Sequence, residues 1–223
     1  MVDSDAVQVA LFSPKGTYLV TWERPRKPAD GSQPPGNLKV WDSETGAFLT
    51  GFSMKQAPNS IAWPAIQWSP DEKIAPQKDT NCITILDGNH WGTKEGNSII
   101  TRVKVDNVAS FSVTGYGPFY NFVSFAPGSK GNASRVSLYQ YPGAIEKPIT
   151  AKQFFQAEEI TVRWSPTGGS AIVFTSTTVD TSGKSYYGST GLHLLCADGT
   201  TQDCAISLPK EGPVHDVQWS PRK

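Results

Sequence analysis

Near its end the chain reads Val217-Gln218-Trp219-Ser220-Pro221, and the same word stands earlier as Ala10-Leu11-Phe12-Ser13-Pro14, Ile66-Gln67-Trp68-Ser69-Pro70 and Val162-Arg163-Trp164-Ser165-Pro166. The shared template is an apolar residue, a variable one, a large aromatic, Ser and Pro. Pro14, Pro70, Pro166 and Pro221 lie 56, 96 and 55 residues apart. The middle interval is close to two periods of about 48, so a degenerate copy is expected inside it. Val108 to Gly117, "VASFSVTGYG", fits, with Phe111-Ser112-Val113 in the place of aromatic-Ser-Pro.

The word describes a strand and the turn that ends it. Alternating apolar positions send one face of a strand into a core. Proline then removes a ladder donor and fixes φ, while a nearby Gly or Asp lets the chain reverse. Strand-like runs follow each copy: "TYLVTWE", "FYNFVSF" and "SAIVFTSTT". After the second copy "KIAPQKDT" is the weakest such run, because it holds a proline and little apolar content. A second pair completes each unit: "LKVWD" with "AFLTGFS", "ITILD" with "SIITRVKV", "RVSLYQY" with "PITAKQFF", and "LHLLC" with "TQDCAISL". Four short antiparallel strands at a period of roughly 45 to 55 residues are the pattern of a β-propeller blade. Helical spacing is not sustained.

The expected fold is therefore all-β, a partial β-propeller of about four four-stranded antiparallel blades plus the first strand of a fifth. As one domain over residues 1–223, its blades fall near 5–57, 58–106, 107–156 and 157–212, with the next beginning at 213–223. An open arc with apolar flanks is expected rather than a closed ring, since a lone fifth inner strand has no place in a ring of four. Phe12, Trp68, Trp164 and Trp219 recur at one template position, which points to packing between blades. On that reading, truncating Trp164 to Ala costs about 3–5 kcal/mol.

Composition narrows the function. Twenty Lys+Arg balance twenty Asp+Glu, so no whole-domain basic field exists to drive nucleic-acid binding, and any such contact is local. DNA is not an expected partner. No secretory signal pattern opens the chain, and no apolar run approaches the roughly 20 residues that cross a membrane. Cys82, Cys196 and Cys204 are few and odd in number, which suits a reducing, cytoplasmic setting. Cys196 and Cys204 flank the turn "ADGT", but that setting argues against a disulfide.

Catalysis is not suggested. His90, His193 and His215 have no metal-ligand spacing, no Cys-x-x-Cys occurs, and there is no G-x-S-x-G elbow. His193, inside an apolar strand, reads as a half-buried, satisfied residue. Gly183-Lys184-Ser185 fails as a phosphate loop because Thr178 stands where the first glycine belongs and no helix pattern follows. An enzyme built on a propeller channel needs convergent inner-strand groups, and Asp5, His215 and Asp216 are too few. No cofactor or metal is implied.

Two insertions carry candidate binding residues. "ERPRKPADGSQPPG" (Glu23 to Gly36) holds Arg24, Arg26 and Lys27 in a Pro-rich loop that keeps the cations extended toward RNA phosphates or an acidic partner. "DTSGKSYYGST" (Asp180 to Thr190) sets Lys184 beside Tyr186 and Tyr187, a combination that can stack a base and pair a phosphate. The plain alternatives are a solvated hairpin tip and tyrosines packed over a blade edge.

Trp41-Asp42 resembles the dipeptide of WD-repeat proteins, although it occurs in one unit only and without the Gly-His element. Three longer stretches are more specific. Phe12 to Gly46, Ser176 to Leu195 with its Asp-x-x-Gly-Lys-Ser-Tyr-Tyr-Gly hairpin, and Leu208 to Pro221 are similar to blades of the eukaryotic translation initiation factor 2A family. The resemblance runs over nearly the whole chain and is weakest between Ala75 and Asn97. It implies a larger, nine-bladed propeller with a charged helical tail, association with the small ribosomal subunit, and support of initiator methionyl-tRNA recruitment. The alternative is a non-enzymatic WD-type scaffold for protein partners, such as the propeller-bearing subunit of initiation factor 3, whose blades also use "WSP" words.

Overall fold

A computed structural model of the chain describes residues 6–25, 36–54, 64–91, 99–129, 131–155, 157–177, 188–199, 204–209 and 212–221. Among them there are strands and turns but no helix, and so no helix long and apolar enough to cross a membrane. The first sheet holds β1 (Val7–Phe12), β2 (Tyr18–Glu23), β3 (Leu38–Asp42) and β4 (Phe48–Phe52). The second holds β5 (Ile74–Asp79), β6 (Cys82–Asp87) and β7 (Ile99–Lys104). The third is β8 (Ser110–Tyr116), β9 (Phe119–Ala126), β10 (Ser134–Tyr141) and β11 (Thr150–Phe154). The fourth is β12 (Glu159–Trp164), β13 (Ser170–Ser176), β14 (Thr190–Cys196) and β15 (Cys204–Ala205). In every sheet, strands consecutive in sequence are neighbours in space, the antiparallel meander expected of a blade.

Contacts divide the chain into two compact units, Met1–Asp79 with Ile83–Arg102 and Thr80–Cys82 with Val103–Lys223. In the first, Val20, Trp22, Leu38 and Val40 share a core with Ile66, Trp68, Leu86 and Trp91 of the following repeat. In the second, Val123, Phe125, Val136 and Leu138 do the same with Ala171, Val173 and Leu195. The two middle strands of a sheet are the buried ones. β9 is buried from Tyr120 to Phe125, whereas the innermost β1 and β12 are largely exposed. A middle strand has both faces covered, which is why β9 shows no apolar–polar alternation and buries Asn121 and Ser124 along with its apolar residues.

In the first three copies of the word the serine closes the turn by the same bonds. Ser13 N–H donates to Tyr18 O at 2.9 Å, and its Oγ accepts from Tyr18 N–H at 2.9 Å. Ser69 treats Ile74 likewise, at 2.9 and 3.2 Å, and Ser165 treats Ser170, at 2.8 and 3.1 Å. Three residues after each serine the chain enters the left-handed region, at Gly16 (φ 78°), Glu72 (φ 62°) and Gly168 (φ 71°). Glycine meets that demand without strain. Glu72 does not, and its side chain has another task. Its carboxylate accepts from Lys15 N–H at 2.7 Å, while Lys15 Nζ donates to Asp71 O at 3.0 Å, so one turn is fastened to the same turn of the preceding repeat.

The aromatic before the serine points back to the preceding sheet. Trp68, only 6% exposed, stacks on Tyr18 with centroids 5.7 Å apart. Trp164 Nε1 donates to Ser112 Oγ at 2.9 Å, and Trp219 Nε1 donates to Arg163 O at 2.7 Å. Phe12 has no preceding sheet among the described residues and is 61% exposed. Packing between repeats thus accounts for Trp68. Trp164 is only half-buried, packing at the margin of the second unit's core while its N–H bonds Ser112.

Three repeats depart from the expected pattern. The weak run after Pro70 is a strand, β5, with Pro76 inside it. Gln67 N–H donates to Pro76 O at 2.9 Å, so the bonding edge of Pro76 faces the inner segment. In an antiparallel ladder a residue's N–H and C=O point the same way, so the proline costs a bond to that segment and none to β6. Pairing there shrinks to the single bridge Ile66↔Gln77, which makes this a three-stranded sheet. In the degenerate copy, β8 runs on past Ser112-Val113 to pair Tyr116 with Phe119, so the copy keeps the strand and moves the turn. Residues 212–221 form no ladder, in contrast to the expected inner strand, because no partner strand lies beside them among the described residues. They keep the Trp219 contact, and Val214 N–H donates to Thr190 Oγ1 at 2.8 Å.

These contacts give two expectations. Chemical denaturation should show Trp68→Ala losing about 3–5 kcal/mol and Phe12→Ala less than about 1 kcal/mol, with Trp164→Ala between them. Equal losses at Trp68 and Phe12 would contradict the packing rule. Burial opposes ionisation of Glu72, but hydrogen bonds from Ser13, Thr17 and Lys15 N–H, with the Lys15 charge, outweigh it and hold its carboxyl below the ordinary 4.5. A lowered folded pKa stabilises fully above the ordinary value, and that stability is lost as pH falls through the lowered one. Glu72→Gln should therefore lower Tm by a few degrees at neutral pH, with variant and parent converging as the pH drops below 4.5.

Candidate functional site

Both insertions singled out by the sequence fill the same connection of the repeat, from the second strand of a sheet to the third. Residues 24–37 join β2 to β3, and residues 177–189 join β13 to β14. Arg24 is exposed, immediately after the last residue of β2. Arg26, Lys27, Lys184, Tyr186 and Tyr187 lie outside the described residues.

The bases of the two connections are well defined. At the first, buried Asn37 donates through Nδ2 to Glu23 O and Met54 O, both at 2.9 Å, and its Oδ1 accepts from Met54 N–H at 2.7 Å. Glu23 forms an ion pair with Lys39, whose ammonium lies 5.9 Å from the centroid of the Trp41 ring. At the second, Thr177 N–H donates to Ser189 O at 3.0 Å, and Ser189 N–H donates to Thr177 Oγ1 at 2.8 Å. Each insertion ends on a glycine two residues before the third strand. A Cβ on Gly36 would sit 2.6 Å from the Gly51 carbonyl carbon, and one on Gly188 1.6 Å from Thr177 O, so no larger residue fits either clamp. A closed base separates the loop's own side chains from the stability of the sheet, which suits a loop that carries binding residues.

Beside the second clamp lies a cleft of about 310 Å³, lined by Phe154, Phe155, Thr175, Ser189, Thr190, Gly191 and His193. His193 comes from β14, and its ring centroid lies 4.5 Å from that of Phe154. Burial first, and then the charge of Lys152, pushes the imidazole below its ordinary pKa, which favours the neutral ring. It is half-buried, as the sequence suggests, but it is not satisfied: Nδ1 is buried without a hydrogen-bond partner among the described residues. Sequence reasoning missed this cleft. Its one local signal was the tandem Phe154-Phe155 at the end of "PITAKQFF".

Among the described residues no three His, Cys, Asp or Glu side chains are grouped to hold a metal ion. Cys196 is not in a disulfide, and Cys204 pairs with Leu194 in the ladder rather than standing opposite Cys196.

Antiparallel meanders, repeated with a serine-closed turn and an aromatic directed at the preceding sheet, define a partial β-propeller. A crystal structure of a eukaryotic initiation factor superposes with a TM-score of 0.74 at 31% identity, over 98% of this chain and 48% of that one. Eukaryotic translation initiation factor 2A of Schizosaccharomyces pombe is 36% identical over 209 residues, 94% of this chain and 34% of the relative. Its counterpart in Dictyostelium discoideum is 33% identical over 224 residues, 99% of this chain and 34% of the relative. A family model described as "Eukaryotic translation initiation factor eIF2A" matches residues 152–223. The chain belongs to the eukaryotic translation initiation factor 2A family and spans about a third of the length of the curated relatives it matches.

Proposed function

We propose that the chain is part of the propeller of a cytoplasmic translation initiation factor that associates with the small ribosomal subunit and supports recruitment of initiator methionyl-tRNA. Family membership over nearly its full length carries this reading. The role is binding rather than catalysis. With a formal charge of zero the chain has no long-range field to steer it onto RNA, so attachment depends on local contacts. Arg24, Arg26 and Lys27 supply phosphate contacts from one insertion. Lys184 with Tyr186 and Tyr187 supplies a phosphate contact and stacking faces from the other. Both sit on the same connection of the repeat, which a propeller presents at one edge of each blade.

Sedimentation of purified small subunits with the chain, over a salt series, tests this. Co-sedimentation should fall as salt rises. Reversing Arg24, Arg26 and Lys27 to Glu should weaken it and reduce the slope of log K against log salt by about 2 to 3. Salt-insensitive binding would assign the contact to ribosomal proteins instead. No binding at all would leave the scaffold role.

A further inference from the structure

We propose that the cleft between the end of β11 and the β13–β14 pair holds one unpaired nucleobase, stacked on Phe155. The proposal rests on the reading of the chain as an RNA-contacting factor and gives that reading a second, separate contact.

Phe154 and Phe155 are neighbours in sequence with opposite environments. Phe154 is buried against His193, whereas Phe155 is 84% exposed at the cleft mouth. A phenyl ring left in water beside a cleft is a stacking platform, and every base has a π-face to offer it. The cleft, at about 310 Å³, is near the lower bound of small-ligand sites and suits one flat group rather than a helix or strand.

Its lining is mainly apolar with a polar edge. Thr175 and Ser189 have hydroxyls already bonded to Gly191 O and to Thr177 Oγ1, Thr190 brings a hydroxyl, and His193 brings its imidazole, whose partnerless Nδ1 is buried. Thr190 Oγ1 already accepts from Val214 N–H, which leaves its proton to donate. Gly191 keeps the floor open, since a Cβ there would lie 2.9 Å from Thr175 Oγ1 and 3.0 Å from His193 Nε2. A neutral imidazole and the Thr190 hydroxyl proton lie beside the phenyl face, a flat apolar surface with a polar edge, as a base presents. An apolar peptide side chain would use the phenyl ring but give the Thr190 hydroxyl proton no acceptor.

The test uses the full 223-residue chain and a labelled short single-stranded RNA, with a fully abasic strand of the same length as control, read by fluorescence anisotropy at low salt. Phe155→Ala should weaken binding of the intact strand about tenfold, and Phe155→Trp should restore it. The abasic strand should bind the unaltered chain less tightly than the intact strand and be indifferent to Phe155→Ala. Because Phe155 is exposed, its loss does not threaten the fold. Equal affinity of Phe155→Ala and the parent overturns the proposal. So does equal affinity for intact and abasic strands, which would leave the cleft to an apolar peptide side chain. Absence of RNA binding by the parent overturns it too, and the small-subunit sedimentation, which also registers protein contacts, then decides the wider reading on its own.

Discussion

A serine hydroxyl accepting the amide five residues ahead is the interaction on which the repeats depend. At Ser13, Ser69 and Ser165 it fixes where the inner strand ends and where the second begins. It also decides which way the preceding aromatic faces, because strand residues alternate sides and the turn sets the register. With the register set, Trp68 reaches Tyr18 and Trp164 reaches Ser112. The proline after the serine donates no ladder bond and so ends the pairing. One short word therefore specifies both the sheet it belongs to and its joint with the sheet before.

The same economy explains where binding residues can be placed. A propeller blade has little freedom on its inner turn, which is closed by hydroxyl and backbone bonds and, at Glu72, fastened to its neighbour. The connection from second to third strand is free to lengthen, and it does so in the first and fourth sheets. Bonds at Asn37 and between Thr177 and Ser189 close the bases of those loops. Loops tied in this way can change their tips without disturbing the sheet, a usual division of labour between scaffold and site.

Much of the fold was legible because it repeats. Four aromatic-Ser words and the paired apolar runs between them identified most strands and their order. What escaped was what one word could not encode. Pro76 made β5 the weakest of the expected strands and left its lost pairing to the inner segment unforeseen, because the sequence does not say which edge of a strand a proline faces. Ser112-Val113 mimicked a turn that the chain makes at Gly117-Pro118 instead. Trp219 was legible as a contact but not as an unpaired segment, since pairing depends on a neighbour. The binding loops were visible from their composition, whereas the cleft was not. Phe155, Thr175, Thr190 and His193 are spread over nearly 40 residues and meet only through the ladder that joins β13 to β14 and the core that packs both against β11.

Native-state amide hydrogen exchange at Tyr18, Ile74 and Ser170 tests the central claim most directly. Each of these amides donates to a serine hydroxyl in the turn. The account predicts that all three exchange as slowly as the ladder amides of the strands they begin. Exchange at the rate of open loop amides would show that the serine turns are not closed, and the common register of the repeats would lose its cause.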